Sequence, residues 1–287
     1  MSVEVADDVA PTPRRLRLSG TGWVGASIVA FWIAMAIAGP WLAPYDRGTL
    51  VSNNIFDPMG SRFLLGTDYL GRDMLSRLLA GARTTIGLAG VGTALAILIG
   101  APLGMLAAVI GGWVDMALSR AIDALLSIPT LLLGLMMVAA IGSYIPVLLL
   151  AAALAYAPGH FRLVRALSMD MNVIDFVEVA RARGESTWWI ARREILPNII
   201  MPLMTDIGLR FVFVVLFMSG LSFLGLGVQP PDADWGAMVR ENLAGLSYGY
   251  AAALVPATAI ASLTIGLNLV VDSLSAGVGR NISRGRA

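Results

Sequence analysis

Six long apolar runs separated by polar interruptions set the pattern of this 287-residue chain. The runs cover about residues 23–41, 84–110, 121–141, 147–167, 199–221 and 248–274. Each is close to the ~20 apolar residues that a helix needs to cross a hydrocarbon core of ~30 Å. The pattern therefore predicts an all-α polytopic membrane protein with six transmembrane helices. Between the runs lie a mixed-charge loop at 44–83, a short turn at 111–120, a tight turn at 142–146, an arginine-rich stretch at 175–198, and a glycine- and proline-broken stretch from Ser222. In the first run, Ala36-Ile37-Ala38 has the small-residue form of a cleavage site. Pro40 follows closely and the apolar run continues through Leu42, so a retained anchor is expected. The expected division is a tail over 1–20, a first span with its loop over 21–83, a five-span core over 84–276 with a polar loop at about 172–197, and a tail over 277–287.

The stretch 175–198, DFVEVARARGESTWWIARREILPN, organises the C-terminal two-thirds of the chain. Arg162, Arg165, Arg181, Arg183, Arg192 and Arg193 crowd in or near it. Asp175 is placed to cap a helix, with Glu178 three residues on in capping-box register. Gly184 ends that helix, because glycine alone takes a left-handed backbone without steric cost. Ser186 is placed to cap a second short helix, and Pro197 opens the next apolar run. The expected local structure is helix, sharp turn, helix, held between two spans.

Composition narrows the classes. The chain is 57% hydrophobic and only 14% charged, with mean hydropathy +0.77, where soluble chains carry about 25% charged residues. A net charge of +1 gives no sign of nucleic-acid binding. All twenty basic residues are arginine, so a phosphate-loop lysine, a Schiff-base lysine and a lysine base are excluded. Cysteine is absent, which excludes disulfides, thiolate metal sites and cysteine nucleophiles. A lone His160 cannot make a histidine metal cluster. No metal site, bound cofactor or catalytic residue is expected.

Other polar positions each offer a modest structural reading beside a sharper one. Asp68 is placed to cap a short helix at the membrane surface, with Asp73 and Arg77 as an i,i+4 pair on its face. Gly100 and Gly104 have a small-xxx-small spacing that lets helices approach closely. Asp206 and Arg210 lie within a run, where charge is costly unless paired or facing water; they form an internal ion pair or line an aqueous pathway. Asp123 near the start of the third run is a further candidate for that pathway. Trp235 suits a membrane interface. With six spans and the N-terminus inside, thirteen arginines fall on the side of the 175–198 loop and six (Arg47, Arg62, Arg72, Arg77, Arg83, Arg240) on the other. That excess places the arginine-rich loop and both termini in the cytoplasm.

Several strings, in order, resemble one family. Glu178-x-Ala180-x-x-x-Gly184, then Ile195-Leu196-Pro197-Asn198 after ten residues, resembles the signature loop of ABC importer permeases. Leu65-Gly66-Thr67-Asp68-Tyr69-Leu70-Gly71-Arg72-Asp73, followed by Ser76-Arg77, resembles a segment of the dipeptide, oligopeptide and nickel permeases. Arg120, Asp123, Ile128 and Pro129 match a further family pattern. SFLGLGVQPP from Ser222, with Trp235-Gly236, is the most distinctive match, and Asn268 and Asp272 sit as in the family's final span. The resemblance runs from about residue 20 to 280 and implies a C-type permease with a type I ABC importer permease fold, in the inner membrane of a bacterium.

By that resemblance, Glu178, Ala180, Arg183, Gly184, Ile195, Leu196 and Pro197 would belong to a coupling helix docked on a cytoplasmic ATPase. The pathway would be shared with a second homologous permease. Two ATPase subunits would carry ATP and Mg, and an external solute-binding protein would deliver peptides, nickel complexes, glutathione, opines or glycosides. Asp68, Arg72, Asp73, Gln229 and Trp235 would lie on the external, binding-protein side. Val179 stands where the signature usually has alanine, and Glu194 where relatives often carry histidine, so contact detail at these points departs from the pattern. The rivals are a stand-alone secondary transporter, which would show internal repeats and more intramembrane charge, and an intramembrane hydrolase, for which Asp123, Asp206 and Asp272 lack a convincing motif.

Overall fold

A computed structural model describes residues 18–284, with side chains through residue 276. Arg14, Arg15 and Arg17 of the expected tail, Arg286, and the side chains of Arg280 and Arg284 lie outside the described residues. The elements are α1 (Gly20–Leu42), α2 (Met74–Ile110), α3 (Gly112–Leu126), α4 (Thr130–Ile141), α5 (Ile145–Asn172), α6 (Asp175–Ala182), α7 (Thr187–Ile190), a π-helical turn (Ala191–Ile195), α8 (Leu196–Phe223), α9 (Trp235–Glu241), α10 (Leu243–Ser247) and α11 (Leu254–Arg284). Among the described residues the only β pairing is two isolated bridges, Leu50 with Arg72 and Thr67 with Asp73.

Five helices are long and apolar enough to cross a membrane, and α3 with α4 qualifies as a sixth, bent by 83°. The contacts orient them. Asn172 at the end of α5 donates to the Ala108 carbonyl near the end of α2 (3.1 Å). Gly39 near the end of α1 meets Leu79 near the start of α2, and the Ser19 N–H at the other end of α1 donates to Ser273 of α11 (2.8 Å). The molecule thus has an α6 end and an α9 end. The bent pair starts at the first and finishes at the second, so it makes a full crossing.

Three boundaries differ from expectation. The second span starts at Met74 rather than 84, because Asp73 caps it by accepting the Ser76 N–H (2.8 Å). The stretch 111–120 is not a turn: Gly111 and Gly112, at φ +68° and +55°, make the reversal alone, and α3 begins at once. The third span then breaks at 127–129, where Pro129 supplies no N–H and forces Ile128 out of helical geometry. Helical backbone continues across residue 277 to Arg284.

Packing follows the glycines. A Cβ on Gly100 would lie 2.5 Å from the Ala157 carbonyl oxygen, and one on Gly104 equally 2.5 Å from that of Phe161. The α2–α5 contact is therefore backbone against backbone, which dispersion and close approach favour in lipid. The central core gathers α2, α5, α8 and α9 around Trp235. That indole is fully buried, stands edge-on to Trp32 at 4.8 Å, and donates from Nε1 to the Leu78 carbonyl (3.0 Å).

Between α7 and α8 the chain does not leave helical geometry. Pro197 has no N–H and its ring crowds the carbonyl four residues back. The turn before it widens instead, with the Leu196 N–H reaching the Ala191 carbonyl in the π pattern. The second short helix expected from the sequence is thus the first turn of a continuous 37-residue helix, Thr187–Phe223.

Candidate functional site

At the α6 end, a short helix stands off the spans. Ile174, not Asp175, is its N-cap; Asp175 and Glu178 lie in the first turn without a side-chain cap bond, where the helix dipole still favours their charge. Gly184, at φ +81°, ends it: its N–H donates to the Arg181 carbonyl (2.9 Å) and that of Glu185 to the Ala180 carbonyl (3.1 Å), the paired bonds of a Schellman motif. Ser186 Oγ accepts the Trp189 N–H (3.2 Å) and starts α7.

The helix has two faces. Val177 and Ala180 are buried with Ile190, Ile195 and Ile199 against Met105 and Val164. Val179, 56% exposed, and Phe176 face outward beside exposed Glu178 and Arg183, while Trp188 of α7, 70% exposed, lies beside the end of α2. Ala180 and Ile195, expected among the partner-contacting residues, are fully buried within this chain; they seat the segment on the spans. Leu196 is half-buried and Pro197 exposed. Arg181 donates to the Asn172 carboxamide (2.5 Å), fixing α6 to the end of α5. Arg183 lies 5.8 Å over the Trp189 ring.

Within the spans, Asp206 and Arg210 form the internal ion pair, Nη2 to Oδ1 at 3.1 Å and Nε to Oδ2 at 3.2 Å. His160 Nδ1 joins the same carboxylate at 2.5 Å, a role the sequence reading missed. Gly159 makes room: a Cβ there would lie 2.5 Å from an Arg210 guanidinium nitrogen. Asp206 also borders a cleft of about 360 Å³ with Leu163, Pro202 and Ser275, so pairing and access to a cleft coexist. Asp123 is bound by Arg162 of α5 at 2.5 Å, both half exposed. Nearer the α6 end, Asp115 accepts from Nε and Nη2 of Arg165, one on each carboxylate oxygen. These two pairs clasp α3 to α5.

At the α9 end lies a buried charge cluster. Asp68 Oδ2 accepts from Arg72 Nε (2.7 Å) and Arg77 Nη1 (2.5 Å); Glu241 Oε2 accepts from Arg72 Nη2 (3.1 Å) and Arg77 Nη1 (2.7 Å). Asp68 is therefore not a helix cap, and Arg77 pairs with Asp68 and Glu241 instead of Asp73. Asn242 accepts the Tyr69 N–H (3.1 Å) and donates to the Met238 carbonyl (2.7 Å). Asp68, Arg72, Asp73 and Trp235, expected on the external, binding-protein side, are buried within the chain; Asp68 and Arg72 lock the 65–73 loop to α9 through Glu241 and Arg77. Gln229 is exposed, and its amide donates to the Gly225 (3.3 Å) and Gly227 (2.9 Å) carbonyls. Asp234 caps α9 through the Gly236 and Ala237 N–H groups, and burial pushes its carboxyl up to about 6. Glu241 and Asn242 escaped the sequence reading because their partners lie more than 160 residues away.

Residues 100–284 match the family described as binding-protein-dependent transport system inner membrane component, and residues 13–58 the N-terminal transmembrane domain of oligopeptide transport permease C. A putative peptide transport system permease protein of Brucella suis is 33% identical over 272 residues, covering 93% of this chain and 90% of the relative. A probable D,D-dipeptide transport system permease protein of Escherichia coli is 34% identical (87% and 84% covered). A glutathione transport system permease protein of Pectobacterium atrosepticum is 33% identical (86% and 82%). A chain of the solved inward-facing MetNI methionine ABC transporter superposes with TM-score 0.58 at 18% identity, covering 71% of this chain and 97% of that one.

Proposed function

The chain belongs to the binding-protein-dependent transport system inner membrane components and is a multi-pass permease of an ABC importer, and on that premise we propose that it carries peptides or peptide-like solutes and is driven through α6 by a separate ATPase. ATP and Mg are bound by two ATPase subunits, a second homologous permease completes the pathway, and an external solute-binding protein delivers the cargo. The α6 end, with both termini, faces the cytoplasm; the arginine excess on that side supports this orientation. Relatives named for peptides, D,D-dipeptides and glutathione support the cargo class.

The observation that carries the coupling reading is the two-faced α6: its inner face is fully packed while Phe176 and Val179 remain uncovered. Exposed apolar side chains rimmed by Glu178 and Arg183 fit a groove on a partner better than they fit water. Gly184 leaves open space beside the turn. A chain without lysine also lacks the phosphate-loop lysine that an ATPase needs. We assign Asp206 and Arg210, with Asp123, to the translocation pathway, an assignment that the cleft beside Asp206 and the exposure of Asp123 support.

Two measurements test this. The tagged protein, purified in mild detergent, should bring down a second permease and ATPase chains. Cysteines at Val179 and Arg183, in this cysteine-free background, should crosslink to the ATPase, whereas one at buried Ala180 should not. A lone chain that transports without ATP would overturn the reading.

A further inference from the structure

We propose that Arg240, at the α9 end, forms a subsite for the carboxylate of the transported solute. The inference rests on the transport reading above and names a chemical feature of the cargo. Arg240 stands in the wall of a cleft of about 340 Å³ with Tyr69, Ser222, Gly225, Gln229 and Glu241. That volume lies in the range of small-molecule sites, roughly 300–1,000 Å³.

Charge bookkeeping singles out Arg240. Asp68 and Glu241 are neutralised by Arg72 and Arg77, and Asp232 by Arg47 at 2.7 Å. Asp234 does not line the cleft, and its carboxylate accepts the Gly236 and Ala237 N–H groups. Among the described residues Arg240 has no carboxylate partner, so the cleft carries one surplus positive charge. One guanidinium, with no lysine or second free cation beside it, matches one carboxylate, which it can grip with two parallel N–H bonds.

The local backbone holds the guanidinium in the cleft. A Cβ on Gly225 would lie 2.7 Å from Arg240 Nη1 and 2.9 Å from Cζ, so the group rests across a glycine at φ +84° that ends α8. The Gln229 amide, bonded to the Gly225 and Gly227 carbonyls, fixes the loop beneath it. Ser222 and Gly225, at the end of the helix that carries Asp206 and Arg210, form part of the cleft wall.

The test uses the assembled importer in nanodiscs, with phenylglyoxal modification of Arg240 followed by mass spectrometry. N-acetyl-alanyl-alanine should slow modification of Arg240 several-fold, and its C-terminal amide should not. In ATP-driven uptake of tri-alanine, Arg240→Gln should raise KM ~10-fold, the factor set by one lost charge-assisted hydrogen bond. Arg240→Lys should recover part of that loss. Equal protection by acid and amide, or none, overturns the proposal. So does protection by solute-free binding protein, which would make Arg240 a protein contact. Protection requires neither ATP nor transport, so failure of ATP-driven uptake with protection intact would strike the transport reading alone.

Discussion

Removing Arg77 should destabilise the α9 end strongly, and removing its partner as well should restore most of the loss. Arg77 is 1% exposed and bridges Asp68, fully buried, to Glu241, 13% exposed. Arg77→Met leaves two buried carboxylates sharing Arg72, one negative charge in excess. Breaking a buried pair from one side costs about 3–5 kcal/mol. Arg72 still contacts both carboxylates, so the low end, about 3 kcal/mol, is expected. Glu241→Met leaves the opposite excess at similar cost. The double variant keeps only the Asp68–Arg72 pair, neutral and 2.7 Å apart, with apolar side chains of similar volume in the vacated space. Such replacements are close to neutral, so the pair should cost on the order of 1–2 kcal/mol instead of ~6. Reversible unfolding in mixed micelles titrated with SDS would read all three. A double variant as unstable as the sum of the singles would refute the charge-balance argument and leave packing as the cause.

Gly104→Val should push α2 from α5, since its Cβ would meet the Phe161 carbonyl oxygen at 2.5 Å; overpacking on the order of 1–3 kcal/mol should appear as loss of monodisperse protein on gel filtration. Gly184→Ala meets nothing within 4 Å, so its cost is backbone strain at φ +81°, about 1–2 kcal/mol; it should loosen α6, read by faster amide exchange there, while the spans stay intact. Asp234, whose carboxyl rises from 3.8 to about 6 on folding, holds its proton more tightly in the fold. Its stabilising contribution is complete below the unfolded value and disappears as pH climbs through about 6. Amide exchange of α9 should therefore quicken across that window, and Asp234→Asn, still able to cap the helix, should remove the dependence.

The spans were legible because lipid imposes one long, uniform requirement on sequence, and the i,i+4 pair Asp206–Arg210 because helical spacing alone brings it together. Gly184 and Ser186 were legible as local backbone devices. What failed shares a cause. The first part of the helix at 112–126, as far as Arg120, looked like a turn because Asp115, Ser119 and Arg120 make it polar on one side, and its pairing with Arg165 lies 50 residues away. The 65–73 string read as a surface helix capped by Asp68 with Asp73 and Arg77 paired on its face; the pairing of Arg77 with Glu241, supplied 164 residues downstream, leaves no local trace. Ala180, placed on the coupling helix by resemblance, is buried because its small side chain lets that segment sit closely on the neighbouring spans.

The continuity of α7, the π-turn and α8 has a mechanical consequence. At 1.5 Å per residue, the 37-residue helix is a rod about 55 Å long. Trp188 sits at one end, Asp206 and Arg210 along it, and Gly225 just past the other. A tilt of roughly 5° moves one end of such a rod by about 5 Å relative to the other. Force on Trp188 thus reaches the floor of the Arg240 cleft by leverage, without any chain of side-chain rearrangements. The π-turn beside Pro197 and the bend available at Pro202 are the two compliant points, and their stiffness sets how much of a stroke is delivered and how much is absorbed.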